Sequence, residues 1–112
     1  MRIQHAFLDS DEIRDTALDR GYSLAVNKNY KWVAIVVVNS LNQTVTIQIQ
    51  ALFTNYVDVG SSFTVAATTG TEIRILTKDT SGLFENISVT AQCAVAPTSG
   101  ELNIWGYLYQ DD

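Results

Sequence analysis

The sequence predicts an all-β fold, an antiparallel β-sandwich or jelly roll of seven or eight strands. Three observations carry that expectation. Apolar and polar residues alternate with period two in four separate runs, the pattern of a strand with one dry and one wet face. Each run is bounded by Gly, Pro, Asn, Asp or Ser, and no helical run separates one from the next. The apolar weight sits in Val, Ile, Leu and Ala and the polar weight in Thr, Ser, Asn and Gln, a mix that favours strands. Of 112 residues, 46% are hydrophobic and 17% charged. That suits one domain over 1–112, which hides about two thirds of its unfolded surface on folding.

Taken in order, residues 1–20 form an N-terminal arm or a short helix. Ser10 is a suitable N-cap, acidic residues follow it, Gly21 is a C-terminal stop, and Ile13, Ala17 and Leu18 would share a helical face. The competing reading is a charged turn feeding a strand over 22–26. Asn27-Lys28-Asn29 is a loop in either case. Residues 32–38 (WVAIVVV) form a strand apolar on both faces, and 102–109 form another, with Leu102, Ile104 and Leu108 on one side and Trp105, Tyr107 and Tyr109 on the other. Between them lie the alternating strands. Val45, Ile47, Ile49, Ala51 and Phe53 alternate with Thr and Gln, Phe63 and Val65 with Ser62 and Thr64, Ile73 and Ile75 with Glu72 and Arg74, and Ile87, Val89, Ala91, Cys93 and Val95 with Asn, Ser, Thr and Gln. The expected inward set is Val45, Ile47, Ile49, Ile73, Ile75, Ile87, Val89 and Cys93. Turns are expected at 39–42, 60–61, 69–70, 79–82 and 97–100.

Charge and motif content exclude several function classes. The net charge is −5, and the seven Lys and Arg residues form no dense run. A nucleic-acid partner needs a basic footprint, so neither nucleic acid nor an anionic membrane surface is an expected partner. The longest apolar run has seven residues, against roughly 20 for a membrane-spanning helix, and the start lacks the apolar stretch of a signal peptide. Synthesis in a cytosol is therefore expected.

Cys93 is the single cysteine and His5 the single histidine. Cys93 reads as a small buried hydrophobe. One His gives neither a zinc site nor a Ser-His-Asp triad. Asp9-Ser10-Asp11-Glu12 is a fragment of a calcium loop without its remaining ligands or its Gly, so a solvated acidic turn is expected there. The sequons at Asn42 and Asn86 read as chance. No phosphate loop or nucleophile elbow occurs, and no catalytic residue, metal or cofactor is expected.

One constellation bears on function. Trp105, Tyr107 and Tyr109 line one face of a strand, with neighbours roughly 6.5–7 Å apart. Such a row can be a core face, a subunit interface or a platform for a ligand such as a sugar. Trp32, in the other doubly apolar strand, is the fourth candidate. A strand apolar on both faces needs a second cover.

The stretches VAIVVVNSLNQTVTIQIQALF, SSFTVAATTGTEIRIL and ISVTAQCAVAPTSGELNIWGYLY together resemble small β-sandwich proteins of tailed-phage virions and their relatives. Val38-Asn39 before a polar turn, Val45-Thr46-Ile47-Gln48, Thr64-Val65-Ala66-Ala67, and Ala96-Pro97-Thr98-Ser99-Gly100 with Leu102 and Ile104 carry the likeness, over roughly residues 20–110. Thr68-Thr69-Gly70 departs from it, since the relatives run Ala-Ala directly into Gly-Thr. The resemblance implies a non-enzymatic structural virion protein, a capsid decoration or cement protein or a head–tail accessory subunit. It would be assembled in the host cytoplasm as a homo-oligomer, a trimer or a ring, against capsid or tail proteins. The alternative expectation is a carbohydrate- or ligand-binding β-sandwich module.

Overall fold

The computed structural model describes residues 2–25, 30–52, 55–77 and 86–110. Nine strands run in chain order: β1 (Arg2–Asp11), β2 (Asp19–Ala25), β3 (Tyr30–Asn39), β4 (Val45–Leu52), β5 (Tyr56–Asp58), β6 (Phe63–Val65), β7 (Gly70–Thr77), β8 (Asn86–Cys93) and β9 (Leu102–Gln110). They form two antiparallel sheets. One has the order β1-β9-β3-β7; the other runs β2-β8-β4-β5, with β6 also paired to β4. The all-β sandwich expected from the alternation is therefore present. The count exceeds the expected seven or eight because the N-terminal segment supplies β1 and because Tyr56–Asp58 forms a short strand.

The core lies between the sheets. Val33, Ile35, Val37, Leu76, Leu102, Ile104 and Leu108 enter it from the first sheet, and Tyr22, Val45, Ile47, Ile49, Val65, Ile87, Val89 and Cys93 from the second. The β4–β8 pairing sets Val45 opposite Cys93, Ile47 opposite Ala91 and Ile49 opposite Val89. All of these are inward, as directly opposed residues of an antiparallel pair must be. Each buried Ile or Leu contributes about 1.5–3 kcal/mol over an exposed one.

Three expectations are corrected. No helix occurs among the described residues, and 11–20 is not helical. Pairing of β1 with β9 runs to Asp11–Leu102, and β2 begins at Asp19 in the other sheet, so residues 12–18 must cross the sandwich rather than coil. Within that crossing the Ala17 amide donates to Asp15 Oδ1 at 3.0 Å, a side-chain bond that competes with a helical turn. Ile13 enters the core while Leu18 stays exposed. The second correction concerns β7. Ile73 and Ile75 are 56% and 60% exposed, not inward; Leu76, Arg74 and Glu72 take the inner side, opposite Val33, Ile35 and Val37. The third is Val95, which lies beyond the end of β8 and is exposed. The expected turn at 79–82, the loop at 27–29 and Phe53 lie outside the described residues.

One end of the sandwich locks β9 against β3. Buried Asn39 closes β3: its Nδ2 donates to the carbonyls of Gln43, Val65 and Ala66 at 3.0–3.1 Å, and its Oδ1 accepts from the Leu41 amide at 3.0 Å. Asn42 and Thr98 bond reciprocally, Asn42 Nδ2 to Thr98 Oγ1 at 2.7 Å and the Thr98 amide to Asn42 Oδ1 at 2.9 Å. The Ser40 amide donates to the Glu101 carbonyl at 2.9 Å. Gly100 has φ +85°, and a Cβ there would collide with the Ser40 carbonyl oxygen, so only glycine fits. The Ala96-Pro97-Thr98-Ser99-Gly100 stretch thus fastens a loop and fixes the β3–β9 register.

Candidate functional site: an aromatic and aliphatic sheet face

That register builds the outer face of the β1-β9-β3-β7 sheet. Val33, Ile35 and Val37 of β3 point into the core, so Trp32, Ala34, Val36 and Val38 point away from it. On β9 the inward Leu102, Ile104 and Leu108 leave Asn103, Trp105, Tyr107 and Tyr109 outward. Pairing aligns the strands in cross rows: Tyr109 beside Trp32, Tyr107 beside Ala34 and Ile75, Trp105 beside Val36 and Ile73, and Asn103 beside Val38 and Thr71. The directly opposed Trp32 and Tyr109 rings stack, with centroids 5.1 Å apart and planes at 30°, a cross-strand contact that stabilises the pair.

The four candidate residues Trp32, Trp105, Tyr107 and Tyr109 therefore come together on one outward face. Reading the aromatic row as a core face is overturned, because Leu102, Ile104 and Leu108 fill the core instead. Trp105, Tyr107 and Tyr109 are half-buried among their neighbours and Trp32 is 37% exposed. Ile73 and Ile75 complete the face, and sequence reasoning placed them in the core. The available signal was the doubly apolar β3: an outward Ile on β7 finds Ala34 and Val36 as apolar neighbours, so its inward and outward sides differ little in apolar contact.

Edge position completes the explanation. β7 ends its sheet, so an inward Glu72 or Arg74 still reaches the rim. The Arg74 guanidinium lies 4.0 Å from the Phe63 ring centroid and bonds Glu72 at 2.8 Å. The pair is half-exposed, a snorkelling arrangement. Inward-pointing charge on an edge strand also discourages indiscriminate sheet extension. Beside it, Ile49, Val59, Phe63, Arg74 and Leu76 line an open cleft of about 360 Å³.

The acidic turn has conventional partners. Ser10 donates to Glu101 at 3.0 Å, and the buried Tyr22 hydroxyl donates to Asp11 at 3.3 Å. Among the described residues, no three His, Cys, Asp or Glu side chains converge as metal ligands. The Asp9 and His5 side chains lie outside the described ones. Cys93 is fully buried, and burial pushes its thiol above the ordinary value, which disfavours thiolate chemistry. Asn42, the first sequon residue, is engaged in the loop lock.

No protein-family model matches the sequence, and no curated protein matches it. Solved structures do share its fold. The PBSX exported protein XepA superposes with a TM-score of 0.69 at 10% identity, over 97% of this chain and 38% of that one. This chain thus spans well under half the length of XepA. The SPBc2 prophage-derived protein YomS gives 0.58 at 16% identity, over 96% of this chain and 92% of that one. A chain from Bacillus endospore appendages, described as disulfide-linked pili, gives 0.55 at 13% identity, covering 98% and 89%. At these identities the likeness is one of fold.

Proposed function

We propose that this chain is a non-enzymatic structural subunit of a virion or related phage-derived assembly, and that it acts through protein–protein contacts made by the outer face of the β1-β9-β3-β7 sheet. The carrying observation is that face itself: Trp32, Val36, Ile73, Ile75, Trp105, Tyr107 and Tyr109 form one uncharged surface on a chain of net charge −5. Contiguous apolar surface on this scale marks an interaction site. Aromatic residues are enriched at protein interfaces and charged ones depleted at their centres. The prophage-derived and appendage-forming proteins that share the fold support the same reading. A role in capsid decoration, cementing or head–tail assembly is its finer form, with one domain over 1–112 as the unit and the host cytoplasm as the place of assembly. Unlike the disulfide-linked appendages, this chain would assemble without covalent links, since its single cysteine is enclosed in the core.

The test is co-sedimentation with assembled particles from the cells that make this protein. Wild-type chain is expected in the particle pellet, and Tyr107→Glu is expected to bind at least about tenfold more weakly, since a charge on the face must be desolvated. A wild-type chain left in the supernatant, with tryptophan fluorescence quenched by oligosaccharides, would overturn the proposal in favour of a glycan-binding module.

A further inference from the structure

Resting on that reading of the face, we infer that its occupant is a second copy of this chain, docked face to face about a two-fold axis that runs along β3. Charge is the first argument. Two copies repel, each carrying −5, so they meet most easily where charge is missing. The described outward positions of β3, β7 and β9 carry no charged side chain. A partner chosen by charge complementarity would find nothing to read there.

Area is the second argument. At ordinary strand spacing and rise, three strands of eight to ten residues offer roughly 14 by 26 Å, and two such faces with side-chain relief remove on the order of 1,000 Å² from water, the threshold for a specific interface.

Relief is the third argument, and it sets the symmetry. The face is stepped. β9 raises an aromatic ridge at Trp105 and Tyr107; β3 forms a low floor at Ala34, which is only 5% exposed, and Val36; β7 raises a shorter ridge at Ile73 and Ile75. A two-fold along β3 carries the tall ridge of one copy over the short ridge of the other. Tyr107 then faces Ile75 of the second copy and Trp105 faces its Ile73. Trp32, on the axis line, meets its own mate, an aromatic contact that stacking favours. A two-fold across the strands would instead set tall aromatic ridge on aromatic ridge and short isoleucine ridge on isoleucine ridge, two contacts of unequal height, where the two-fold along β3 gives two equal ones that close together. Self-matching relief makes the contact isologous, unlike the heterologous contacts of a trimer or ring.

Sedimentation of the full chain over a concentration series tests this, with charges placed across the axis. Wild type is expected to sediment as a dimer. Ile75→Lys and Tyr107→Glu, both outward positions, are each expected to weaken the dimer at least about tenfold with the circular-dichroism spectrum unchanged. Ile75→Lys combined with Tyr107→Glu puts opposite charges face to face twice, and is expected to recover the dimer to within about threefold of wild type. A monomeric wild type, a dimer indifferent to the single changes, or a double variant no stronger than either single one would overturn the inference. A wild-type monomer that still co-sediments with particles would remove this inference and leave the proposed function standing; a dimer that does not co-sediment would do the reverse.

Discussion

The outer faces of the two sheets differ in kind although both sheets close on the same core. On β4 and β8 the outward positions are Thr46, Gln48, Gln50, Ser88, Thr90 and Gln92. Ser88 and Thr90 are themselves buried, and three of the six find partners nearby: Gln50 donates to Asp58 at 2.8 Å, Gln48 to the Gly60 carbonyl at 3.3 Å, and Thr90 to the Gln48 carbonyl at 3.3 Å. On β3, β7 and β9 the outward positions are mostly aliphatic and aromatic. A strand has two faces, and burying one satisfies an amphipathic strand completely. The same burial leaves half of a doubly apolar strand in water. Folding therefore leaves mainly polar side chains outside the β4–β8 sheet, whereas the other sheet keeps Trp32, Ile73 and Ile75 in water.

Substitution can break this comparison in graded steps. The largest effect is expected on the one-sided sheet. Ile47→Asp buries a carboxylate in the core and should cost about 4 kcal/mol or more, enough to unfold a domain of this size. Its neighbour Thr46→Asp, on the wet face, should stay within about 0.5 kcal/mol. Urea unfolding measures both, and similar costs at the two positions would mean that the inward register of β4 is wrong.

A smaller contrast is expected on β7. Leu76→Asp should cost about 3 kcal/mol, because Leu76 is 6% exposed at the inner side. Ile75→Asp should cost the folded monomer less than about 1 kcal/mol, the range of strand preference alone, while abolishing association. Equal losses of monomer stability at 75 and 76 would show that Ile75 is a core residue after all.

Among the core positions, the least effect is expected at Cys93. Cys93→Ser should cost about 1–3 kcal/mol, since a hydroxyl enters an apolar site, and should leave function intact. Burial raises the folded-state value of the thiol from its ordinary 9.0, so its neutral form is the one the fold favours. The associated stability is fully present below about pH 9 and is lost as the pH rises through the folded value. Wild type should therefore lose more stability than Cys93→Ser between neutral and strongly alkaline pH. An equal alkaline loss, or rapid labelling of the native thiol, would contradict burial at this position.

Legibility in the sequence followed periodicity. The parity of β4 and β8 was readable because Val45, Ile47 and Ile49, and Ile87, Val89 and Cys93, stand against Thr, Ser and Gln. The same rule misplaced Ile73 and Ile75. An edge strand lets Glu72 and Arg74 reach the rim from the inner side, and the apolar outer side of β3 gives an Ile nearly as good a neighbour there as the core would. The aromatic candidates were nameable, but their side was not, because Leu102, Ile104 and Leu108 compete equally well for the interior. The 12–18 segment carries helix-compatible residues, and what denies it a helix is the pairing of β1 with β9, a contact across the whole chain.

By itself, then, the sequence determined the class of fold, the doubly apolar strands and the absence of a charge pattern for nucleic acid, since alternation and composition are local properties of a strand. Tertiary structure decided which face of β9 meets the core, where β7 turns its isoleucines and how the aromatic row joins them into one surface. Those choices depend on strand order and on the register set by Asn39, Gly100 and the Asn42–Thr98 lock. A one-residue slip in register turns every side chain of a strand to the opposite face.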